Sequence, residues 1–215
     1  MTESPRVRRI RSGVPALPPR PATGGTRDRI LLAGLRLFAE HGFHGTSIRD
    51  IAAESAVQSA SLYAHFPSKE AILAELVLAG HEEHHTRLVT ALLKSGTDPR
   101  DRLAALVRAH VQAHIDYPML AVVANNEMHA LSIAAAAPAV AVRRRSEALL
   151  AEVLVIGHQQ GVFDLVHPEA TAAAIGSMGI RVANWYPAPT ADLSPSQLAD
   201  AYASLALRMA GARKH

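Results

Sequence analysis

Two groups of side chains in this 215-residue chain have the types and spacing to do chemistry. The first is His81-Glu82-Glu83-His84-His85, two histidines four apart with a glutamate after the first. On a helix this spacing puts both imidazoles on one face, where they can hold zinc while the glutamate acts as general base in hydrolysis. Such a centre needs a third ligand. The position six beyond His85 is Ala91, and no glutamate stands between Glu83 and Glu127, so protease chemistry lacks its ligand. His110 and His114 are also four apart. In an antiparallel helix pair turning near Thr97, His81 would face His114 and His85 would face His110, a set suited to zinc or nickel. A metal-responsive switch on His81, His85, His110 and His114 is one expectation. Two exposed pairs in a histidine-rich chain is the plainer one, and no resident metal or cofactor is assigned.

The second group is Gln58, Ser59, Ser61, Tyr63, His65 and Lys69. Gln58, Ser59 and Ser61 can hydrogen-bond base edges or phosphates if one short helix presents them together, while the plainer reading of Tyr63 and His65 is packing in a three-helix core. The elements before them fit that task. Leu31, Leu35 and Phe38 recur at helical spacing over residues 26 to 40, and Gly42 fits a left-handed cap. Ser47 and Asp50 form the signature of a capping box, which opens a second helix with Ile48, Ile51 and Ala52 inward. A break at Ser55-Ala56-Val57 precedes the third helix, expected over 58 to 64 with Leu62 inward. Pro67 stops it and Ser68 caps a fourth, whose free amides beside Lys69 suit a phosphate. Two short helices around a turn, followed by an anchored third, is the order of a helix-turn-helix.

In these residues the chain resembles the TetR family of one-component regulators. The likeness is carried by Phe38-Ala39-Glu40-His41-Gly42, Gly45-Thr46-Ser47-Ile48-Arg49-Asp50-Ile51-Ala52 and Leu62-Tyr63-Ala64-His65-Phe66-Pro67-Ser68-Lys69. It implies that Tyr63 and Lys69 hold the DNA backbone, with Thr46 and Ser47, and that the helix from Gln58 through Ser59, Ala60 and Ser61 enters the major groove. The chain departs from the pattern at Ala56 and Ala60, where glycine is usual, and at Ala64, where a larger residue is.

Charge is uneven. Residues 1–25 hold five arginines against Glu3, whereas residues 26–70 balance five basic against five acidic groups. The proline-rich leader is expected to be a disordered basic arm that adds salt-dependent affinity for DNA, or else a passive tail. The chain has no cysteine, so thiolate metal sites and disulfides are excluded. No apolar run reaches the roughly 18 residues of a membrane span, nothing reads as a signal peptide, and the cytoplasm is the expected location. No nucleophile-and-base arrangement suggests an enzyme.

The remainder reads as helices: 68 to about 93, 99 to 116, about 120 to 131, Pro138 to 160, 168 to 185, and a last one opened by Ser194-Pro195-Ser196-Gln197. The expected fold is all-α, with a basic arm over 1–25, a three-helix DNA-binding domain over 26–72, and a helical ligand-binding and dimerisation domain over 73–215. Small residues Ala172, Ala173, Ala174, Gly176, Gly179 and Ala183, then Ala199, Ala203 and Ala206, suit close helix packing; the resemblance implies a four-helix dimer interface from this helix pair, which is the expectation, with packing inside one chain as the alternative. A homodimer is expected because palindromic half-sites need a two-fold partner.

Asn126-Glu127, Arg144-Arg145, Gly161-Val162-Phe163 and Val182-Ala183-Asn184-Trp185-Tyr186 resemble the branch of TetR repressors that governs fatty-acid and sterol breakdown. That resemblance implies an apolar or acyl-CoA effector. Met119, Met128, Phe163, Met178 and Trp185 would line its cavity, and Arg144 and Arg181, with Arg143 and Arg145, would meet its phosphates. A DNA-binding protein governed by a protein partner instead of a ligand is the other expectation.

Overall fold

Helix ends in this chain are set by local signals. Ser47 accepts the amide of Asp50 while the Asp50 carboxylate accepts the amide of Ser47, at 3.1 and 2.8 Å. The same reciprocal box joins Ser194 and Gln197. The computed structural model describes residues 14–19, 25–186 and 192–212. The arginines of the expected basic arm lie outside the described residues. The described residues form ten α-helices and no strand. In order they are α1 (Thr26–His41), α2 (Ile48–Glu54), α3 (Ser59–His65), α4 (Lys69–Lys94), α5 (Pro99–Asp116), α6 (Pro118–Asn126), α7 (Ile133–Gln159), α8 (Pro168–Ile180), α9 (Val182–Trp185) and α10 (Pro195–Met209). A single 3₁₀ turn, Met128–Ala130, follows α6.

The helices form two compact units. One holds residues up to 81 together with 117–140, and the other holds 82–116 with 141–215. In space, α6 and the start of α7 therefore belong with α1–α3. The first unit buries Ile30, Leu31, Leu35, Phe38, Ile51, Leu62, Phe66 and Ile72 almost completely. Each such side chain contributes about 1.5–3 kcal/mol. The second unit buries Leu103, Val107, Val111, Leu154, Phe163, Ile175 and Leu198 in one cluster.

Three expectations need correction. First, α7 begins at Ile133, not Pro138, which lies inside the helix. Ser132 starts it: its hydroxyl accepts the amide of Ala135, and its own amide is held by Glu70. This start outweighs the one backbone bond that Pro138 cannot make. Second, the helix expected over 168–185 is broken by a turn at Arg181 into α8 and α9. Third, Ala199, Ala203 and Ala206 are buried within the second unit, where α10 packs on α5. Their small size serves packing inside one chain.

Candidate nucleic-acid interface

Helix α3 has one buried residue, Leu62. Gln58 at its N-cap, then Ser59, Ala60, Ser61 and Ala64, are exposed, and Tyr63 is 52 % exposed. The helix starts one residue later than expected and takes in His65, which is only part-exposed. Leu62 holds α3 to its base, and Ser59, Ala60, Ser61, Tyr63 and Ala64 are left exposed.

The far end of α3 is fastened by Arg27, which sequence reasoning passed over. Its guanidinium donates to the His65 carbonyl at 2.8 Å, stands 4.1 Å from the Phe66 ring centroid, and pairs with Glu75. A cation at a helix C-terminus is favourable because the last carbonyls face it. The near end of α3 follows a turn in which Ala56 has φ 52°. The Val57 amide reaches Ala52 O at 3.0 Å and the Ala56 amide reaches Ala53 O at 3.2 Å. This is a Schellman close of α2, with alanine in the left-handed position.

Two residues expected on DNA are occupied elsewhere. Thr46 is 2 % exposed, and its hydroxyl lies 3.0 Å from Gly42 O and 3.2 Å from Leu37 O. It closes the α1–α2 connection, and its buried side chain cannot reach a phosphate. The Lys69 ammonium donates to Phe43 O and Thr46 O, both at 2.7 Å, and lies 4.0 Å from the Phe43 ring centroid. Burial lowers its pKa, with Asp50 opposing. Two of its three donors are thus committed to the same connection. Ser47 remains exposed beside it, as does Arg49, which sequence reasoning did not single out.

A further clamp on this connection comes from α6. The Glu127 carboxylate, 2 % exposed, accepts the Phe43 amide at 2.9 Å. Phe43 is therefore held through its amide by Glu127 and through its carbonyl by Lys69. The only sequence signal for this role is an acidic residue closing the apolar run of α6.

The expected effector residues are divided between the units. Met119 and Met128 belong to the first, and Phe163, Met178, Trp185, Arg144 and Arg181 to the second. Met119 (3 % exposed) and Phe163 (2 %) are buried side chains of their respective units. A Cβ on Gly157 would fall 2.2 Å from the Phe163 ring, so the ring lies directly on the α7 backbone. Arg144 and Arg181 are exposed, and Trp185 is 42 % exposed.

The expected histidine set also changes. His84, not His81 or His85, meets His110 and His114. Successive helical residues are about 100° apart, so the α4 position facing the α5 pair is offset from both expected ones. His85 Nδ1 instead shares a hydrogen bond of 3.1 Å with the Ser146 hydroxyl, and burial, then Arg145, lowers its pKa.

Comparison with known proteins agrees with this architecture. Residues 30–76 match the family described as "Bacterial regulatory proteins, tetR family", and residues 96–210 match "Tetracyclin repressor-like, C-terminal domain". A tetR-family regulatory protein from Rhodococcus RHA1 superposes with TM-score 0.83 and 32 % identity, covering 89 % of this chain and all of that one. AibR, in complex with isovaleryl coenzyme A and operator DNA, superposes with TM-score 0.76 and 23 % identity, over 88 % of this chain and all of that one, a likeness of fold. The transcriptional repressor KstR2 of Rhodococcus jostii is 38 % identical over 89 residues, 41 % of this chain and 43 % of the relative. The matches to KstR2 proteins and to LmrA of Bacillus subtilis span under half of those relatives' length. With an exposed α3 on a capped α2 and with both domain matches in chain order, the protein belongs to the TetR family of transcriptional regulators.

Proposed function

We propose that this regulator binds a palindromic operator as a homodimer and represses transcription until an acyl thioester releases it. The observation that carries the DNA part is α3, which commits only Leu62 to the core. Gln58, Ser59, Ala60 and Ser61 face the bases, while Tyr63, Ser47 and the remaining donor of Lys69 take phosphates. His65, its carbonyl held by Arg27, ends the reading helix. Thr46 serves only to shape the connection.

The dimer face lies on the outer side of the last helices. Ala201, Leu205 and Met209 are four apart on α10 and exposed, the last two at 40 % each. Ala173 and Ala174 add small apolar surface on α8. A stripe at this spacing suits a helix pair across a two-fold axis.

Support for an acyl-thioester effector comes from relatives: AibR with isovaleryl coenzyme A, and the KstR2 repressors. Met178 and Trp185, both in the second unit, supply apolar contact in this reading, and Arg144 and Arg181 of the same unit supply cations. Glu127 carries the signal. It sits where α6 meets the 3₁₀ turn and grips the Phe43 amide, so a shift of α6 disturbs the α1–α2 connection within the same unit. The effector acts only through its preference for the released form, typically about 1–3 kcal/mol of coupling.

The test is fluorescence anisotropy of the protein on its own upstream DNA, titrated at fixed salt with long-chain acyl-CoA. Release by the thioester and not by free CoA is expected. Tight binding that no thioester of any chain length disturbs overturns the effector class and leaves the DNA-binding assignment standing.

A further inference from the structure

We infer that His84, His110 and His114 form a binding site for a divalent first-row transition metal of the zinc class. The three rings come from α4 and α5, inside the second unit. Their candidate ligand nitrogens all lie within 4.8 Å of one another. The ring centroids are 4.9, 5.7 and 4.7 Å apart, all edge-on. His114 is buried and His84 is half-buried.

The protons on two of the rings are fixed by backbone carbonyls, which can only accept. His114 donates from Nδ1 to His110 O at 2.7 Å. In the neutral ring its Nε2 therefore carries the lone pair. His110 donates from Nε2 to Gly176 O on α8 at 3.0 Å, which leaves the lone pair on Nδ1. A carbonyl that orients a metal-binding imidazole from behind is the usual second layer of such a site.

The third nitrogen, His84 Nε2, lies 2.7 Å from His110 Nδ1 and in this arrangement donates its proton there. A tetrahedral zinc with nitrogens at about 2.0–2.1 Å sets them about 3.3 Å apart. The metal therefore takes the place of that shared proton after the two rings part by about half an ångström. No proton is released overall: His84 moves its own from Nε2 to Nδ1, and its half-buried position lets water carry the exchange. Three neutral imidazoles with no carboxylate among them favour zinc, cobalt, nickel or copper over magnesium or calcium. Three protein ligands leave a fourth position for water or a small anion.

Gly179 supports the same arrangement independently. A Cβ there would stand 2.1 Å from Cδ2 and 2.3 Å from Nε2 of His110. Only a glycine lets the imidazole lie against α8 and reach the Gly176 carbonyl.

The test is titration of the chelator-stripped, full-length protein with Co(II), read by its visible absorption and checked by Zn(II) calorimetry. One equivalent per chain is expected, with the intense visible bands of a tetrahedral nitrogen site. His84→Gln, at a half-buried position, should keep the fold by circular dichroism and weaken binding at least tenfold. His85→Gln, one residue away but bonded to Ser146, should bind as the parent does. No binding at micromolar metal, or equal binding by His84→Gln, overturns the site. The titration uses neither DNA nor thioester, so its failure leaves the repressor reading intact, and failure of the thioester experiment leaves this one intact.

Discussion

Around their two candidate sites the compact units use polar side chains differently. In the first, polar groups tie down backbone: Lys69 holds two carbonyls, Glu127 holds an amide, Thr46 closes the same connection, and Arg27 ends α3. In the second, polar groups meet one another, as His84, His110 and His114 do, and backbone merely orients them. The first arrangement makes a rigid frame for an exposed helix. The second makes a cluster able to accept a ligand. Turn-holding polar groups in a DNA-binding motif thus read as structure, and clustered ones elsewhere as sites.

The largest expected effect tests the frame. Lys69→Ala removes a charged donor from two carbonyls of the α1–α2 connection. Hydrogen bonds to charged groups contribute about 1.5–3 kcal/mol, so a loss of about 3 kcal/mol is expected. For a chain of this size that lowers Tm by roughly 6–12 °C, read by thermal unfolding. If Tm is unchanged while operator affinity falls and the salt slope drops by about one, Lys69 is a phosphate anchor and the contrast with the second unit weakens.

How far these roles could be read from sequence follows from the distance between partners. The Ser47–Asp50 and Ser194–Gln197 boxes span three residues and were legible, as was the helix-turn-helix order. Lys69 and Phe43 are 26 apart, and a lysine at a helix start looks the same whether it faces phosphate or carbonyl. Glu127 and Phe43 are 84 apart, so only the folded chain pairs them. The histidines were legible as a meeting of α4 and α5 but not in register, because the choice among His81, His84 and His85 depends on helix rotation. Ala199 and Ala203 carry no mark that tells packing within a chain from packing between two.

A smaller effect is expected in the second unit, from Gly179→Ala. The added methyl overlaps the His110 ring, which must leave the Gly176 carbonyl. Overpacking of this kind costs about 1–3 kcal/mol. Urea unfolding should show a lower midpoint, and operator affinity of the folded protein should stay within a few-fold. Unchanged stability would mean that α8 moves aside easily and that the cluster is less fixed than the clamps around Phe43.

The smallest effect compares one motif across both units. Three helices close with the same Schellman pattern, at Ala56, Gly161 and Gly211. In each, the following amide reaches back across the turn: Val57 to Ala52 O, Val162 to Gly157 O and Ala212 to Leu207 O, at 3.0, 2.8 and 3.0 Å. The second unit puts glycine at the left-handed position, φ 69° and 63°, while the first puts alanine there at φ 52°. A Cβ in that region costs about 1–2 kcal/mol. Glycine returns roughly 0.5–1 kcal/mol of this through the greater freedom of the unfolded chain. Ala56→Gly should therefore stabilise the protein by about 0.5–1 kcal/mol, raising Tm by roughly 1–4 °C. Operator affinity should stay within about twofold, because the carbonyls and amides that set the α2–α3 angle are the same. A drop in affinity with a gain in stability would show that the alanine stiffens the turn for DNA reading, and that the first unit holds strain where the second holds none.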